Sequence, residues 1–302
     1  MSADRATDHG AAIAQSAGDA SPMRPFNCLW CGRPHTPRAA DDLEVFARLC
    51  PDCIGRAQDN DFLRFRLREG LRARSAAAAA ERGPADAADA AALKEYYAAR
   101  AAEYDEVYLK HGPLESLSFQ AELDAATLWL DGLPLSGEIV ELAAGTGWWS
   151  PLLALKGELW LYDAVEEPLD LARRRLVAHD LRAHIHVRDA WAEPDRQVDG
   201  LFCGFWLSHV RRARLADFMA LARRWLKSGG VFAFIDEAPE WVGAAGADET
   251  EARTLSDGRQ FSIVKVRHSA DELAQVLREA GFADVQIRAT GRHFLLGQAS
   301  AP

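Results

Sequence analysis

Four of the five cysteines lie in one short stretch, as Cys28-x2-Cys31 and, eighteen residues on, Cys50-x2-Cys53. Four thiolates in two close pairs suit a tetrahedral zinc ion, because each pair folds tightly enough for both sulfurs to reach it. Four protein ligands leave no open position, so the expected role is structural. Gly32 follows the first pair and can take the left-handed turn that aims N–H groups at the sulfurs. The competing reading is two disulfides or idle thiols. Disulfides belong to secreted proteins, and Met1 to Ser21 has no apolar core that would make it a secretory signal.

A second constellation pairs glycines with carboxylates. Gly145 and Gly147 follow the apolar run around Ile139, Val140 and Leu142, and Glu141 sits four residues before the first glycine. Glycines there let the backbone turn sharply and approach a ligand without Cβ atoms in the way. A third glycine at dinucleotide-fingerprint spacing is missing, and no Lys-Ser or Lys-Thr pair makes a phosphate loop. A plain strand-turn-helix corner is the bland alternative. Asp163 ends the next apolar run, ELWLYD, where an acid can accept both ribose hydroxyls of a nucleoside held by the glycine loop. Asp189 follows HIHV, where an acid can meet an adenine amino group and Trp191 can pack on the base.

The elements that must position these groups alternate. Strands at Ile139–Leu142, ELWLYD, HIHV, DGLFCGFWLSHV and VFAFIDE are separated by helical stretches, and polar residues gather at every strand's carboxyl end. That is an open parallel α/β sheet. The remainder breaks the alternation. TLSDGRQFSIVKV reads as a hairpin turning at Asp257-Gly258. Ser269 and Glu272 form a capping box for a helix running to Gly281, and two strands close the chain. Upstream, Tyr97, Ala101, Tyr104 and Tyr108 recur at helical spacing and share one face, which a core stripe explains equally well. The Cys50-Cys53 pair opens a helix with Ile54, Phe62, Phe65 and Leu67 as its apolar positions. The expected divisions are a disordered tail over 1–23, a zinc-binding module over 24–74, an Ala-rich linker or little-buried helix over 75–92, and the α/β domain over 93–302.

The 302 residues carry a formal charge of -10, which argues against a general nucleic-acid or anionic-membrane surface. No apolar stretch is long enough for a membrane helix, and a cytoplasmic protein is expected. Arg24 to Arg74 holds ten arginines against seven acids, a basic face on an acidic chain. A solvated helix face is the simpler account of it, with nucleic acid unlikely as a partner. Cys203, mid-strand, reads as a small buried apolar residue.

From about Leu93 to Ala299 the chain resembles the class I methyltransferases that use S-adenosylmethionine, through ELAAGTG, YDAVEEPLDLAR, VRDAW, DGLFCGFWLSHV and GGVFAFIDE in that order. It is most similar to bacterial members acting on small molecules, through YYAARAAEYD. The resemblance implies a Rossmann-like sheet of order 3-2-1-4-5-7-6 with strand seven antiparallel. It implies a cofactor set of Tyr97, Tyr104, Glu141, Ala143, Gly145, Gly147, Asp163, Ala164, Asp189, Ala190, Trp191 and Phe205, with Tyr104 near the methionine carboxylate. The zinc segment lies outside it and is weakly similar to the amino-terminal part of some ribosomal RNA guanine methyltransferases. An RNA methyltransferase is therefore the alternative to a small-molecule enzyme, although no Asn-Pro-Pro-Tyr type motif follows strand four.

The family lines its acceptor pocket after strand four, so His209 is the first candidate for a general base. A strand cap or a backbone bond is its bland alternative, and His111, Glu237 and His293 are weaker candidates. The early tyrosines and the hairpin are expected to cover a mostly apolar pocket walled by Tyr104, Tyr108, Phe205, Trp206 and His209, suited to an uncharged acceptor.

Overall fold

The computed structural model describes residues 25–38, 42–57, 60–81, 84–109, 113–239 and 250–302. The chain divides into two compact units, Met1–Arg74 and Ser75–Pro302. The tail over 1–23 and His111 lie outside the described residues.

In the first unit, β1 (Phe26–Asn27) and β2 (Pro34–His35) pair antiparallel around the first cysteine turn. Helices α1 (Leu43–Ala47) and α2 (Pro51–Gly55) precede the long α3 (Asp61–Glu81). The one helix expected after Cys50 is thus two. Asn60 restarts it, its side-chain oxygen accepting the N–H groups of Phe62 and Leu63 at 3.0 and 3.1 Å. The new helical phase turns Leu63 inward, with Leu67 against the same cluster, and leaves Phe62 and Phe65 exposed, contrary to expectation. Trp30 stacks on Phe62 at 5.7 Å.

The Ala-rich stretch is helical, ending α3 and beginning α4 (Pro84–Arg100). A 3-10 turn at Ala101–Glu103, α5 (Glu106–Leu109) and α6 (Pro113–Gly132) follow. The alternating part then runs β3 (Glu138–Leu142), α7 (Ser150–Ala154), β4 (Glu158–Asp163), α8 (Glu166–Ala178), β5 (His184–Val187), β6 (Val198–Gly204), α9 (Arg212–Trp225) and β7 (Leu226–Glu237). A separate hairpin, β8 (Thr250–Thr254) and β9 (Gln260–Val264), pairs antiparallel. The chain closes with α10 (Ala270–Glu279), β10 (Ala283–Ala289) and β11 (Phe294–Ser300).

The main sheet has seven strands in the order β10-β11-β7-β6-β3-β4-β5. In chain order this is 3-2-1-4-5-7-6, and β11 runs antiparallel to both neighbours, as the resemblance implied. Successive side chains of a strand point to opposite faces, so β3 serves two cores at once. Val140 and Leu142 join α9 and α10 through Phe218, Trp225 and Leu277. Ile139 joins α6, α7 and α8 through Phe119, Leu153 and Leu169 on the other face. Covered on both sides, β3, β6 and β7 hold their carboxyl ends in fixed register, with β4 and the more exposed edge strand β5 paired beside β3. The capping box of α10 forms as read, Ser269 Oγ accepting the Glu272 N–H at 3.1 Å.

Candidate active site

The glycine loop leaves β3 at Ala143, where the backbone is left-handed (φ 51°), and repeats that conformation at Gly145 (φ 54°) and Gly147 (φ 69°). Gly147 must be glycine, because a Cβ there would stand 2.7 Å from that of Ala172. Gly145 is open, with the Tyr104 ring 3.9 Å from where its Cβ would be, so Tyr104 overlies the loop. Ala143, like Phe205 (φ 56°) after β6, is a strained non-glycine residue at a strand's carboxyl end.

Asp163 faces this loop across the strand tips. Its carboxylate accepts the Gly145 N–H at 2.8 Å and the Val165 N–H at 2.9 Å. Burial raises its carboxyl to about 6 despite those two donors. Glu141 is buried at 1% exposure and accepts the Ser150 hydroxyl at 2.6 Å. Burial pushes it up to about 8, with Asp163 adding repulsion. Glu141 therefore sits behind the loop and braces α7, away from both cavities described next.

A narrow cavity of about 100 Å³ runs over the tips of β3, β4 and β5, lined by Ala143, Asp163, Ala164, Asp189, Ala190 and Trp191, with Trp206 and His209 at its inner side. Asp189 accepts the Trp191 N–H at 3.0 Å and pairs with Lys94 of α4 at 3.0 Å. Asp86 and Asp89, also of α4, pair with Arg214 and Arg211. Those residues of the expected linker thus form one wall of the site. Lys94 was not singled out in the sequence, since a lysine on a helix face carries no motif.

A larger cavity of about 570 Å³ adjoins it, and His209 lines both. Of the expected lining, Tyr104, Tyr108, Phe205 and His209 are present and Tyr97 joins them, whereas Trp206 belongs to the narrow cavity. The lining is also far from mostly apolar, because Arg100, Arg253, Lys265 and Glu237 contribute to it. Part of the cause is the β8–β9 hairpin, which packs on α4 through Tyr96, Leu255 and Ile263 and brings Arg253 and Lys265 with it, beside Arg100 at the end of α4 and Glu237 at the end of β7. The tyrosines converge although their helix breaks after Arg100, with Tyr97 to Tyr104 at 5.7 Å and Tyr104 to Tyr108 at 6.5 Å between ring centroids. A clamp fixes the segment that carries them. Asp105 accepts the Thr146 hydroxyl at 2.6 Å and pairs with Arg175, which donates to the Thr146 carbonyl at 2.7 Å.

His209 has both ring nitrogens engaged. Nδ1 lies 2.7 Å from the Val264 carbonyl, which can only accept, so Nδ1 carries the proton. Nε2, at 2.7 Å, then accepts from the Tyr97 hydroxyl. Burial holds its proton affinity well below the usual histidine range, and Lys265, Arg253 and Arg100 push the same way. Glu237 pairs with Lys265 at 2.8 Å within the same cavity. His293 bonds to Glu122 at 2.9 Å and packs edge-on to Phe119, lining neither cavity.

In the first unit the four cysteine sulfurs lie within 4.8 Å of one another, Cys31 and Cys50 at 3.7 Å, and none is in a disulfide. A tetrahedral ion with sulfurs at about 2.3 Å separates them by about 3.8 Å, so the cluster has the dimensions of a metal site. Gly32 takes the left-handed turn (φ 70°).

Residues 139–230 match a family described as a methyltransferase domain. None of the curated proteins matches the chain. Two solved structures of a protein named DhpI, one complexed with SAH and one with SAM and HEP, are each 30% identical to the chain. Each covers 70% of this chain, the alignment spanning 95% and 97% of theirs, with a TM-score of 0.59. The fold is also that of a Burkholderia thailandensis 1,6-didemethyltoxoflavin-N1-methyltransferase with bound 1,6-didemethyltoxoflavin and S-adenosylhomocysteine. That protein is 17% identical, at a TM-score of 0.50 over 73% of this chain and 91% of its own. A glycine loop, two facing carboxylates and a relative matched along nearly its whole length agree, and the chain belongs to the S-adenosylmethionine-dependent methyltransferases.

Proposed function

We propose that this methyltransferase acts on an oxygen or nitrogen of a small-molecule acceptor seated in the larger cavity. The carrying observation is that cavity, whose 570 Å³ falls in the roughly 300–1,000 Å³ range of small-ligand sites. It adjoins the narrow cavity through His209. On this reading Asp163 accepts the ribose hydroxyls, Asp189 meets the adenine amino group once Lys94 yields it, and Tyr104 stands by the methionine end. Bound S-adenosylmethionine supplies a methyl group on a good leaving group. What remains for the chain is to orient the acceptor in line and exclude water.

His209 was the expected base. The role its bonds support is to hold the Tyr97 hydroxyl in place, since its own lone pair faces Tyr97. We also propose a structural zinc ion on Cys28, Cys31, Cys50 and Cys53, whose free thiols suit the reducing cytoplasm. Among the described residues no helix is long and apolar enough to cross a membrane.

The test is a mass-spectrometric screen for products heavier by one methylene, run with metabolite extracts and with bulk RNA. A product in the metabolite fraction is expected. A product confined to RNA would overturn the small-molecule reading.

A further inference from the structure

The larger cavity presents charged groups that a neutral acceptor leaves unused. Arg100 lies between tyrosine rings, its guanidinium carbon 5.6 Å from the Tyr96 centroid and 5.0 Å from that of Tyr104. Among the described residues no carboxylate lies within ion-pair distance of it. Arg253 pairs with Glu251 at 2.8 Å through one terminal nitrogen, while its Nε is buried without a partner. Lys265 is held by Glu237 and by the Ser208 hydroxyl at 2.9 Å.

All three cations line the larger cavity together with His209. Glu103 and Glu106 line the same cavity. Glu103, however, faces the Ser256 N–H at 3.3 Å, and Glu237 is committed to Lys265. The hydroxyls of Tyr104 and Tyr108 have no hydrogen-bond partner among the described residues and line the same space. Glu106 lines the cavity as well, yet two guanidiniums with open donors beside phenol hydroxyls bring several N–H and O–H donors to one volume, which suits an oxyanion.

We propose that the acceptor carries an anionic oxyacid group, a carboxylate or a phosphoryl-type group, bound by Arg100 and Arg253 with the tyrosine hydroxyls. This rests on the small-molecule reading above and names the substrate class for that site. The anion is the handle that orients the acceptor, and a neutral analogue lacking it leaves Arg100 facing an unpaired cavity. Lys265, neutralised by Glu237, shapes the wall and does not supply the grip.

The full-length protein, loaded with S-adenosylhomocysteine, is titrated with inorganic phosphate and with acetate at constant ionic strength set by sodium chloride. Binding is read by calorimetry and by the thermal midpoint. Saturable stabilisation by one of the two anions beyond chloride is expected, and the better one identifies the oxyacid class. Arg100→Gln and Arg253→Gln each weaken that anion at least tenfold, Arg253→Lys retains part of it, and S-adenosylhomocysteine affinity stays within twofold. No saturable effect in the wild type, or an equal effect in the glutamine variants, overturns the proposal. So does a tenfold loss of S-adenosylhomocysteine affinity in Arg100→Gln, since the guanidinium then serves the cofactor's own carboxylate. Wild type that binds S-adenosylhomocysteine but no anion sinks this inference alone, whereas a methylated product confined to RNA sinks the reading beneath it.

Discussion

Asp163→Asn keeps the shape of the β4 tip and removes one charge. Each carboxylate oxygen of Asp163 already holds one backbone N–H, from Gly145 and from Val165. The carboxylate, with about four acceptor positions in all, keeps capacity for the ribose hydroxyls. Hydrogen bonds to a charged group contribute roughly 1.5–3 kcal/mol apiece, and two that share one charge do not add fully. The expected loss is about 2–4 kcal/mol, a 30- to 700-fold weaker dissociation constant for S-adenosylhomocysteine at about 1.4 kcal/mol per decade.

The amide adds a diagnostic, because it cannot titrate. In the free protein burial lifts the Asp163 carboxyl to about 6, and the ribose hydroxyls favour its charged form. Wild-type affinity should then fall as pH drops below about 6, by up to about tenfold per unit, with proton release on binding. The folding contribution has the opposite sign. A raised carboxyl pKa favours the folded chain at low pH, and that contribution is lost as pH rises from about 4 through 6. Calorimetry from pH 5 to 8 on both proteins separates these effects. An unchanged dissociation constant in Asp163→Asn, or a wild-type affinity flat across that range, removes Asp163 from the ribose site.

Three further outcomes are expected. Glu141, raised to about 8, favours folding when protonated and loses that contribution as pH climbs from about 4.5 through 8. Melting curves at pH 6 and 9 should therefore show Glu141→Gln losing less stability than wild type, by up to a few kcal/mol. Cys50→Ser should abolish bound zinc by metal analysis and unfold the first unit, since such an ion contributes on the order of 10 kcal/mol, while hydrogen exchange in β3 to β7 stays slow. His209→Ala and Tyr97→Phe should each lower turnover at least tenfold with S-adenosylhomocysteine affinity within twofold. Because His209 stays neutral down to well below its usual range, wild-type turnover should show no step near pH 6.5.

The sheet was legible because its signals are local and repeated. Ile139–Leu142 and VFAFIDE are covered on both faces, and apolar runs with turn residues after them say so directly. Asp163, Asp189 and the glycines were legible for the same reason, since strand order places their positions together. Arg100, Arg253 and Lys94 were not. Each sits on a helix or hairpin whose own pattern is unremarkable. Arg100 and Arg253 acquire meaning only when β8–β9 packs on α4 through Tyr96 and Ile263, and Lys94 only when α4 reaches Asp189 beyond β5. The apolar pocket expectation failed there, because it counted aromatic rings near the strand tips and had no way to place the charges of the hairpin and of the end of α4 beside them. Phe62 and Phe65 failed more simply. The break between α2 and α3 resets the helical phase, so positions counted on from Ile54 no longer share its face.

One helix, α4, has both cavities along its length. Asp86, Asp89 and Lys94 belong to the narrow one, and Tyr96, Tyr97 and Arg100 belong to the larger one. On the proposed reading adenine competes with Lys94 for the Asp189 carboxylate, and the backbone that carries Lys94 is continuous with the backbone that aims Tyr97 at His209. A rigid lever of this kind makes the two occupancies a single thermodynamic quantity. Whatever factor the first ligand adds to the affinity of the second, the second returns to the first. Substitutions at Asp86 or Asp89, which touch no acceptor, would then be read out as changes in acceptor affinity.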